Sequence, residues 1–363
     1  MNKFFRILAS TLILTLIFVS LGCSNGKSVP SIVSNTTSNA SIQNNTSGKT
    51  TIIVSDQNTT YNYSGQNITL SATIMASNSS VNEGTVTFTV NDTSGNILGV
   101  PAIGPVVNGG ASASYSLPGK TVPSTYSIYA SYKGNNFKPS NGTANLVVSK
   151  PATVVTFTSP SVTYSDSGQN IILTAQVTAA NSIINEGKVT FSITDSHGSQ
   201  VGVPVWGMVI NGSATSAFSL PAGTPASQYR LEGDYSADNL QNSNGVGSVT
   251  VEKEATTIKV PDVISHTTGE QTITLTAMVT TADGSIVNDG TVTFAPWDYW
   301  NGSAWTGTHP ITVPVKNGIA TTPYTMNGIV GWTFSNATYN GGSNFQSCQE
   351  DQTDRNIGFG QPN

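Results

Sequence analysis

Charged residues are scarce in this chain. Asp, Glu, Lys and Arg together make up 9% of its 363 residues, against roughly 25% in ordinary globular proteins. The net charge is −5, and Lys and Arg are nowhere clustered. Because nucleic-acid binding needs concentrated positive charge to displace counterions, the composition excludes a nucleic-acid partner.

Residue types that build catalytic sites are also rare. The three histidines, His197, His266 and His309, lie in unrelated contexts, and the sequence has no GxSxG, HExxH or phosphate-loop motif. With no assembled acid, base or nucleophile, we expect no enzyme activity, no catalytic residue and no cofactor. A secreted enzyme subunit is the least favoured function.

Cysteine is nearly absent. The two cysteines, Cys23 and Cys348, do not lie where a disulfide would join two strands of a sandwich, so we expect the core to be held by packing alone. We expect Cys348 to be an unpaired, inert thiol. The alternative is an intermolecular disulfide at an exposed tail.

The N-terminal residues have the pattern of a targeting segment. Lys3 and Arg6 precede an apolar stretch, Ile7–Val19, which is shorter than the ~20 residues that a membrane span needs. The following SLGC resembles a lipobox, although Ser20 stands where leucine is usual. We predict a lipoprotein-type signal peptide that ends before Cys23, and lipidation of Cys23. An uncleaved anchor or an ordinary secretory signal is the alternative.

A seven-residue motif recurs with a fixed period. NEGTVTF begins at Asn82, NEGKVTF at Asn185 and NDGTVTF at Asn288, each 103 residues after the preceding copy. Turn residues followed by apolar–polar alternation predict a turn that leads into a half-buried strand. An Asn-Gly pair, which favours positive φ at both residues, also recurs. It stands at Asn108-Gly109, Asn211-Gly212 and Asn317-Gly318.

The period and the composition divide the chain into five segments. These are a signal peptide (1–22), a flexible Ser/Asn/Thr-rich spacer (23–49), repeat 1 (50–150), repeat 2 (151–253) and repeat 3 (254–363), which carries a Trp-rich insertion and a polar C-terminal tail. Alternating apolar residues predict antiparallel strands with one buried face and no sustained helix.

Strand positions follow from this alternation. In repeat 1 we predict strands at Thr51–Val54, Ile68–Met75, Thr85–Val90, Val100–Ile103, Ala111–Leu117, Tyr126–Tyr132 and Ala144–Ser149. In repeat 3 the stretch SCQED after Gln346 is polar, so the final strand is expected near Ile357 and Phe359.

The repeats resemble the bacterial Ig-like repeat domains of prokaryotic surface proteins. The resemblance rests on the GTVTF strand, the Asn-Gly turn and the repeat endings YKGNNFKPS (Tyr132–Ser140), YSADNLQNS (Tyr235–Ser243) and YNGGSNFQS (Tyr339–Ser347). It covers residues 50–347 and implies an all-β fold of three tandem Ig-like antiparallel β-sandwiches. It also implies a stalk, a spacer or an adhesive module, since the fold alone does not decide among these roles.

Carboxylates recur with the same period, and carboxylate oxygens are ligands that calcium sites in proteins use. They stand at Glu83, Glu186 and Asp289, and again at Asp92, Asp195 and Asp298. Both positions fall in turns rich in Gly or Asn, where an acidic side chain needs no metal to explain it. We therefore expect turn chemistry and no metal.

Repeat 3 differs from the others in one aromatic stretch. Where repeats 1 and 2 have ordinary turn residues, it reads APWDYWNGSAWTGT, with Trp297, Tyr299, Trp300 and Trp305 as candidate ligand-binding residues. Exposed aromatic rings offer flat apolar faces to sugar rings. The alternative is that Trp297 and Trp305 fold inward and fill the core.

These observations predict a non-enzymatic cell-surface lipoprotein. Lipid at Cys23 attaches it to the membrane, and its tandem Ig-like repeats act as an adhesive or structural stalk in extracellular space. The alternative is a carbohydrate-binding accessory protein that recognises a surface glycan or cell-wall polymer through the third domain. The pattern specifies no oligomeric state.

Overall fold

The computed structural model describes residues 48–77, 81–180, 182–261, 271–296, 309–326 and 335–350. Within these ranges every regular element is a β-strand, so the fold class is all-β, as predicted. No helix among the described residues has the length and apolar character needed to cross a membrane.

Twenty-three strands follow one another within these described ranges. Repeat 1 contains β1 (Thr50–Val54), β2 (Gln57–Thr60), β3 (Gln66–Ala76), β4 (Thr85–Asn91), β5 (Ile97–Val107), β6 (Gly110–Leu117), β7 (Ser124–Lys133) and β8 (Ser140–Ser149). Repeat 2 contains β9 (Thr153–Phe157), β10 (Ser161–Thr163), β11 (Gln169–Ala179), β12 (Lys188–Thr194), β13 (Gln200–Met208), β14 (Ser213–Leu220), β15 (Ser227–Ser236) and β16 (Ser243–Glu252). Repeat 3 contains β17 (Thr256–Lys259), β18 (Gln271–Thr281), β19 (Thr291–Pro296), β20 (Ile311–Pro314), β21 (Ile319–Met326), β22 (Ser335–Tyr339) and β23 (Cys348–Gln349).

The strand order is Ig-like. In repeat 2 one sheet has the order β9–β11–β14 and the other β10–β16–β15–β12–β13. Strand β10 pairs with β16 in parallel, whereas the other pairs of this repeat are antiparallel. The first two strands thus lie in different sheets, and the chain crosses between the sheets as in an Ig sandwich. In repeat 1 the same neighbours occur, but β5 also pairs with β6 and so joins all eight strands into one sheet, β1–β3–β6–β5–β4–β7–β8–β2. The described strands of repeat 3 form the sheets β17–β18–β21 and β20–β19–β22–β23.

A tyrosine corner supports this assignment. In Ig domains a tyrosine near the start of the sixth main strand donates a hydrogen bond to a backbone carbonyl a few residues upstream. Tyr126 donates to the carbonyl of Val122 at 2.7 Å, and Tyr229 donates to the carbonyl of Pro225 at the same distance. Tyr126 lies in β7 and Tyr229 in β15, which correspond to the sixth main strand of an Ig domain.

The repeated motif forms the centre of each core. Its alternation places three apolar side chains of one strand on the inner face, as predicted from the sequence. In repeat 2 the inner residue Phe191 has no exposed surface, and its ring meets that of Phe157 from the opposite sheet edge-on, at 6.2 Å between centroids. The buried motif residues are Val86, Phe88, Val90, Val189, Phe191, Ile193, Val292 and Phe294.

The two sequence signals of each repeat contact each other. Asn211 and Gly212 have φ angles of 50° and 78°, which confirms the predicted turn with positive φ at both residues. The side-chain oxygen of Asn185, the first residue of the motif, accepts a hydrogen bond from the backbone nitrogen of Asn211 at 2.7 Å. Repeats 1 and 3 repeat this contact, so the motif asparagine stabilises the distant turn.

Several strands depart from the sequence expectation. Strand β5 is longer than predicted, and the polar strands β2 and β10 were not predicted at all. Both of them form because their backbones pair in parallel with β8 and β16, and this pairing needs no apolar side chain. Strand β23 lies in the stretch that sequence analysis treated as too polar, since it pairs with β22. Ile357 and Phe359 lie outside the described residues.

Candidate functional site

The side chains proposed as sites from the sequence lie outside the described ranges. Cys23 precedes residue 48, and Trp297, Tyr299, Trp300 and Trp305 fall within 297–308. Lipidation of Cys23 and ligand binding by the four aromatic residues therefore stay predictions.

The acidic residue of each motif binds the loop that follows β7, β15 or β22 in its own repeat. Glu186 accepts hydrogen bonds from the backbone nitrogen and the side-chain amide of Asn239, at 3.1 and 3.0 Å. Glu83 holds Asn136 in the same way, at 2.6 and 2.9 Å. Asp289, one methylene shorter, accepts hydrogen bonds from the backbone N–H groups of Ser343 and Asn344 in the corresponding loop. These carboxylates act as structural clamps between segments that are distant in sequence.

The second set of carboxylates forms local turns. Asp92 accepts hydrogen bonds from the backbone nitrogens of Ser94 and Asn96, each at 2.8 Å, and Asp195 repeats this geometry in repeat 2. The turn interpretation is thus confirmed for both. Across the part of the chain that the structure describes, no three His, Cys, Asp or Glu side chains could jointly hold a metal ion.

A tyrosine of repeat 1 contacts the motif of repeat 2. Tyr61, which follows β2, is only 4% exposed, and its hydroxyl donates to Oε2 of Glu186 at 3.2 Å. Burial, reinforced by the charge of Glu186, raises the pKa of Tyr61 to about 12. Glu186 therefore stabilises both its own repeat and the junction with the preceding one.

The equivalent tyrosine of repeat 2 contacts repeat 3 more extensively. The ring of Tyr164 meets that of Phe345 edge-on, at 5.3 Å between centroids, and its hydroxyl donates to Asp166 at 2.8 Å. Asp166 in turn accepts from the backbone nitrogen of Ile286 at 2.6 Å, and its own nitrogen donates to Ser285. Apolar packing and hydrogen bonds thus combine at this junction.

Cys348 occupies a position that serine holds in the other repeats. The hydroxyl of Thr256 donates to its sulfur at 3.1 Å, as Thr153 contacts the hydroxyl of Ser243 at 2.5 Å. The matching repeat endings predict Ser347 at this position, whereas the structure places Cys348 there, one residue later. Burial raises the pKa of the Cys348 thiol, and a protonated, half-buried thiol supports the inert interpretation.

A buried glutamate lies beside an exposed aspartate where repeat 3 begins. Glu254 is 5% exposed, and its backbone forms hydrogen bonds with Asn344 and Gln346. No described donor reaches its Oε2 atom. Burial, together with a side-chain hydrogen bond to Asp283, raises the pKa of Glu254 to about 7, and that bond lowers the pKa of Asp283. Below about pH 7 a protonated Glu254 beside an ionised Asp283 is therefore favoured.

This pair predicts a stability that depends on pH. Because the folded pKa of Glu254 is raised, its stabilising contribution is complete below its ordinary pKa and is lost as pH rises through about 7. We expect the free energy of unfolding of repeat 3 to fall by roughly 1–3 kcal/mol between about pH 4.5 and pH 7.5, as measured by urea denaturation.

In the variant Glu254→Gln the side-chain amide donates a hydrogen bond to Asp283 at every pH. The free energy of unfolding of this variant should therefore not fall as the pH rises. Glu232→Gln, which alters an exposed carboxylate paired with Arg230, should retain the decrease. An unchanged slope in Glu254→Gln would assign the pH dependence to other groups.

One exposed aromatic residue escaped the sequence analysis. Trp206 in β13 is 59% exposed, and the Nζ atom of Lys188 lies 5.9 Å from its ring centroid. The signal that could have found it is the comparison of copies, since repeat 1 has Ile103 at the matching position.

Comparisons with known proteins add a structural likeness. No protein-family model matches the chain, and no curated protein sequence matches it. The chain is similar to a tetra-tandem repeat in the extending region of a large adhesion protein, with 19% identity, a TM-score of 0.35, and coverage of 84% of this chain and 72% of that one. It is also similar to the adhesin InvE of Yersinia pseudotuberculosis, with 20% identity, a TM-score of 0.30, and coverage of 56% and 59%.

A third similar structure is Dpr2 Ig1-Ig2 in complex with DIP-Theta Ig1-Ig3, with 10% identity, a TM-score of 0.28, and coverage of 83% and 97%. All three TM-scores are low. The assignment of the fold therefore rests on the strand order, the register and the tyrosine corners.

Proposed function

We propose that this chain is a non-enzymatic, lipid-anchored cell-surface protein in which three tandem Ig-like domains, 50–150, 151–253 and 254–363, act as an adhesive or structural stalk. The lipid on Cys23 attaches it to the membrane, and the spacer 23–49 separates the domains from the lipid surface. The extracellular location follows from the signal-like N-terminus.

The observation that carries the stalk role is the repeated junction. Tyr61 and Tyr164 stand 103 residues apart, both are nearly fully buried, and both contact the repeat that follows. A buried aromatic contact restricts the hinge between neighbouring repeats, whereas beads on a flexible linker would leave such side chains exposed. Restricted junctions are what a protein needs to hold a distal surface away from its anchor.

Anchoring is tested by intact-mass analysis of the membrane fraction. We expect a chain that starts at an acylated Cys23, and we expect Cys23→Ala to leave that fraction because a single thioether-linked lipid group is its attachment. Ser24→Ala is the matched control and should remain. A mature chain that keeps residues 1–22, or a Cys23→Ala protein that still fractionates with membranes, would overturn the proposed anchor.

Recognition of carbohydrate is the second candidate function. The Trp-rich stretch 297–308 suggested it from the sequence, and the exposed ring of Trp206 is the structural observation that favours it. Under this proposal the stalk also presents a binding surface for a glycan or cell-wall polymer.

A further inference from the structure

The outer face of repeat 2 presents a continuous row of side chains. In the strand register Trp206 of β13 lies opposite Thr190 of β12, Thr190 lies opposite Asp234 of β15, and Asp234 lies opposite Asn244 of β16. Directly paired residues of neighbouring strands point to the same face of a sheet. We call these four residues the Trp206 row. Thr190 is half-buried and the other three are exposed.

The Trp206 row has the dimensions of a short oligosaccharide. Neighbouring strands lie about 4.8 Å apart, so four strands carry a platform about 14 Å long. Its tryptophan end adjoins a shallow cavity of about 470 Å³, lined by Lys188, Met208, Ser236, Asp238, Asn242 and the adjoining motif turn. Lys188 links the two features, because it lines the cavity and its ammonium group lies 5.9 Å from the centre of the Trp206 ring.

The polar groups of the row are available to a ligand. Among the described residues, neither the carboxylate of Asp234 nor the amide of Asn244 has a protein hydrogen-bond partner. A carboxylate and an amide that both face solvent beside an apolar ring can accept and donate hydrogen bonds to hydroxyl groups. The row thus combines a flat apolar face with polar groups at fixed distances from it.

Repeat 1 shows that the fold itself does not require these side chains. Its matching row contains Ile103, Thr87, Ser131 and Asn141 in the same register. The strands pair equally well with an isoleucine and a serine in place of Trp206 and Asp234. The ring and the carboxylate of repeat 2 are therefore features of its surface and not of its core.

We propose that the Trp206 row binds a neutral glycan chain. The ring of Trp206 stacks on the apolar face of one sugar ring, while Asp234 and Asn244 form hydrogen bonds with hydroxyl groups of the following units. The charges of Lys188 and Asp234 are opposite, so the face favours neither a polyanion nor a polycation. This inference deepens the carbohydrate-binding candidate function and assigns it to repeat 2.

The edge of the same sheet is poorly suited to pairing with a second copy. Strand β13 is the edge strand, and Pro204 within it lacks the N–H group that an added strand would need. Trp206 lies on an open face, beside Thr190 and the exposed Met208, and not in an enclosed apolar pocket of the kind that holds the anchor residue of a protein partner. A hydroxyl-rich chain lying on the face satisfies both the ring and its polar neighbours.

The test uses the intact protein on a printed array of neutral tri- to hexasaccharides and in sedimentation with insoluble cellulose and chitin. We expect the wild type to bind at least one of these probes, and Trp206→Ile to bind it about tenfold more weakly or worse, since it loses the stacked ring. Asp234→Ser should weaken binding in the same direction. Both variants introduce the residue of repeat 1, so their melting temperatures should match the wild type.

Ile103→Ala, which alters the matching position of repeat 1, is the control and should bind like the wild type. The proposal is overturned if the wild type binds none of the probes, or if Trp206→Ile and Asp234→Ser bind as tightly as it does. It is also overturned if size-exclusion chromatography shows that the wild type is a dimer and that Trp206→Ile is a monomer. None of these results affects the anchoring test at Cys23, so failure of this site and failure of the surface role are distinguishable.

Discussion

Gly187→Ala should lower the free energy of unfolding of repeat 2 by about 2–5 kcal/mol, measured by urea denaturation. Gly187 has a φ of +82°, in the left-handed region that side chains disfavour. A Cβ atom there would also lie 2.5 Å from the carbonyl oxygen of Ser236 and 2.6 Å from the ring of Tyr235. Backbone strain and steric overlap therefore add up at one position of the repeated motif.

Gly198→Ala separates the two causes. Gly198 has nearly the same φ, +81°, but a Cβ atom there would meet nothing within 4 Å. We expect the free energy of unfolding of this variant to fall only by the cost of the backbone strain, about 1–2 kcal/mol. Equal losses in the two variants would show that the close approach of the Tyr235 ring contributes nothing to the requirement for glycine in the motif.

Tyr164→Ala should have a comparably large effect, about 3–5 kcal/mol, because it removes a buried aromatic side chain. The variant loses the edge-on contact with Phe345 and the hydroxyl that orients Asp166. We expect repeats 2 and 3 to unfold together in the wild type and in two separate transitions in the variant, as measured by calorimetry, since the aromatic contact between these repeats is lost.

Tyr129→Ala provides the control for this experiment. Tyr129 is 38% exposed on a sheet face of repeat 1, so its removal should change stability by less than about 1 kcal/mol. A single unfolding transition in Tyr164→Ala, unchanged from the wild type, would show that the two repeats are coupled through other contacts.

The sequence predicted the core because each motif strand carries its own periodicity. Val189, Phe191 and Ile193 alternate with polar residues, and that pattern admits only one buried face. The Asn-Gly turns were equally predictable, since few residue pairs tolerate positive φ twice in succession. Local chemistry decides both features.

The contacts that join distant segments were not predictable in this way. Glu186 contacts Asn239 within its repeat and Tyr61 in the preceding one, and nothing local to any of the three residues indicates this. Strand β10 has the sequence SVT, which is too short to show a pattern. Its place depends on backbone groups that β16 leaves available.

Trp206 illustrates a third case. The sequence pattern predicts that an isolated tryptophan in an apolar strand is a core residue, because large aromatic residues are mostly buried. Its exposure follows from the register with Thr190, which places it on the outer face. Only the strand pairing distinguishes the two faces of an edge strand.

The parallel pairing of β2 with β8 has a mechanical consequence. Strand β2 stands near the start of repeat 1 and β8 at its end, so a pulling force applied through both neighbours loads the hydrogen bonds between them in shear. Bonds loaded in shear resist together, whereas bonds of a hairpin pulled from its open end break one after another. The ladder has four residue pairs in repeat 1, from Gln57 with Leu146 to Thr60 with Ser149, and three in repeat 2. Under tension along the chain, we therefore expect this parallel ladder to bear the load in both repeats.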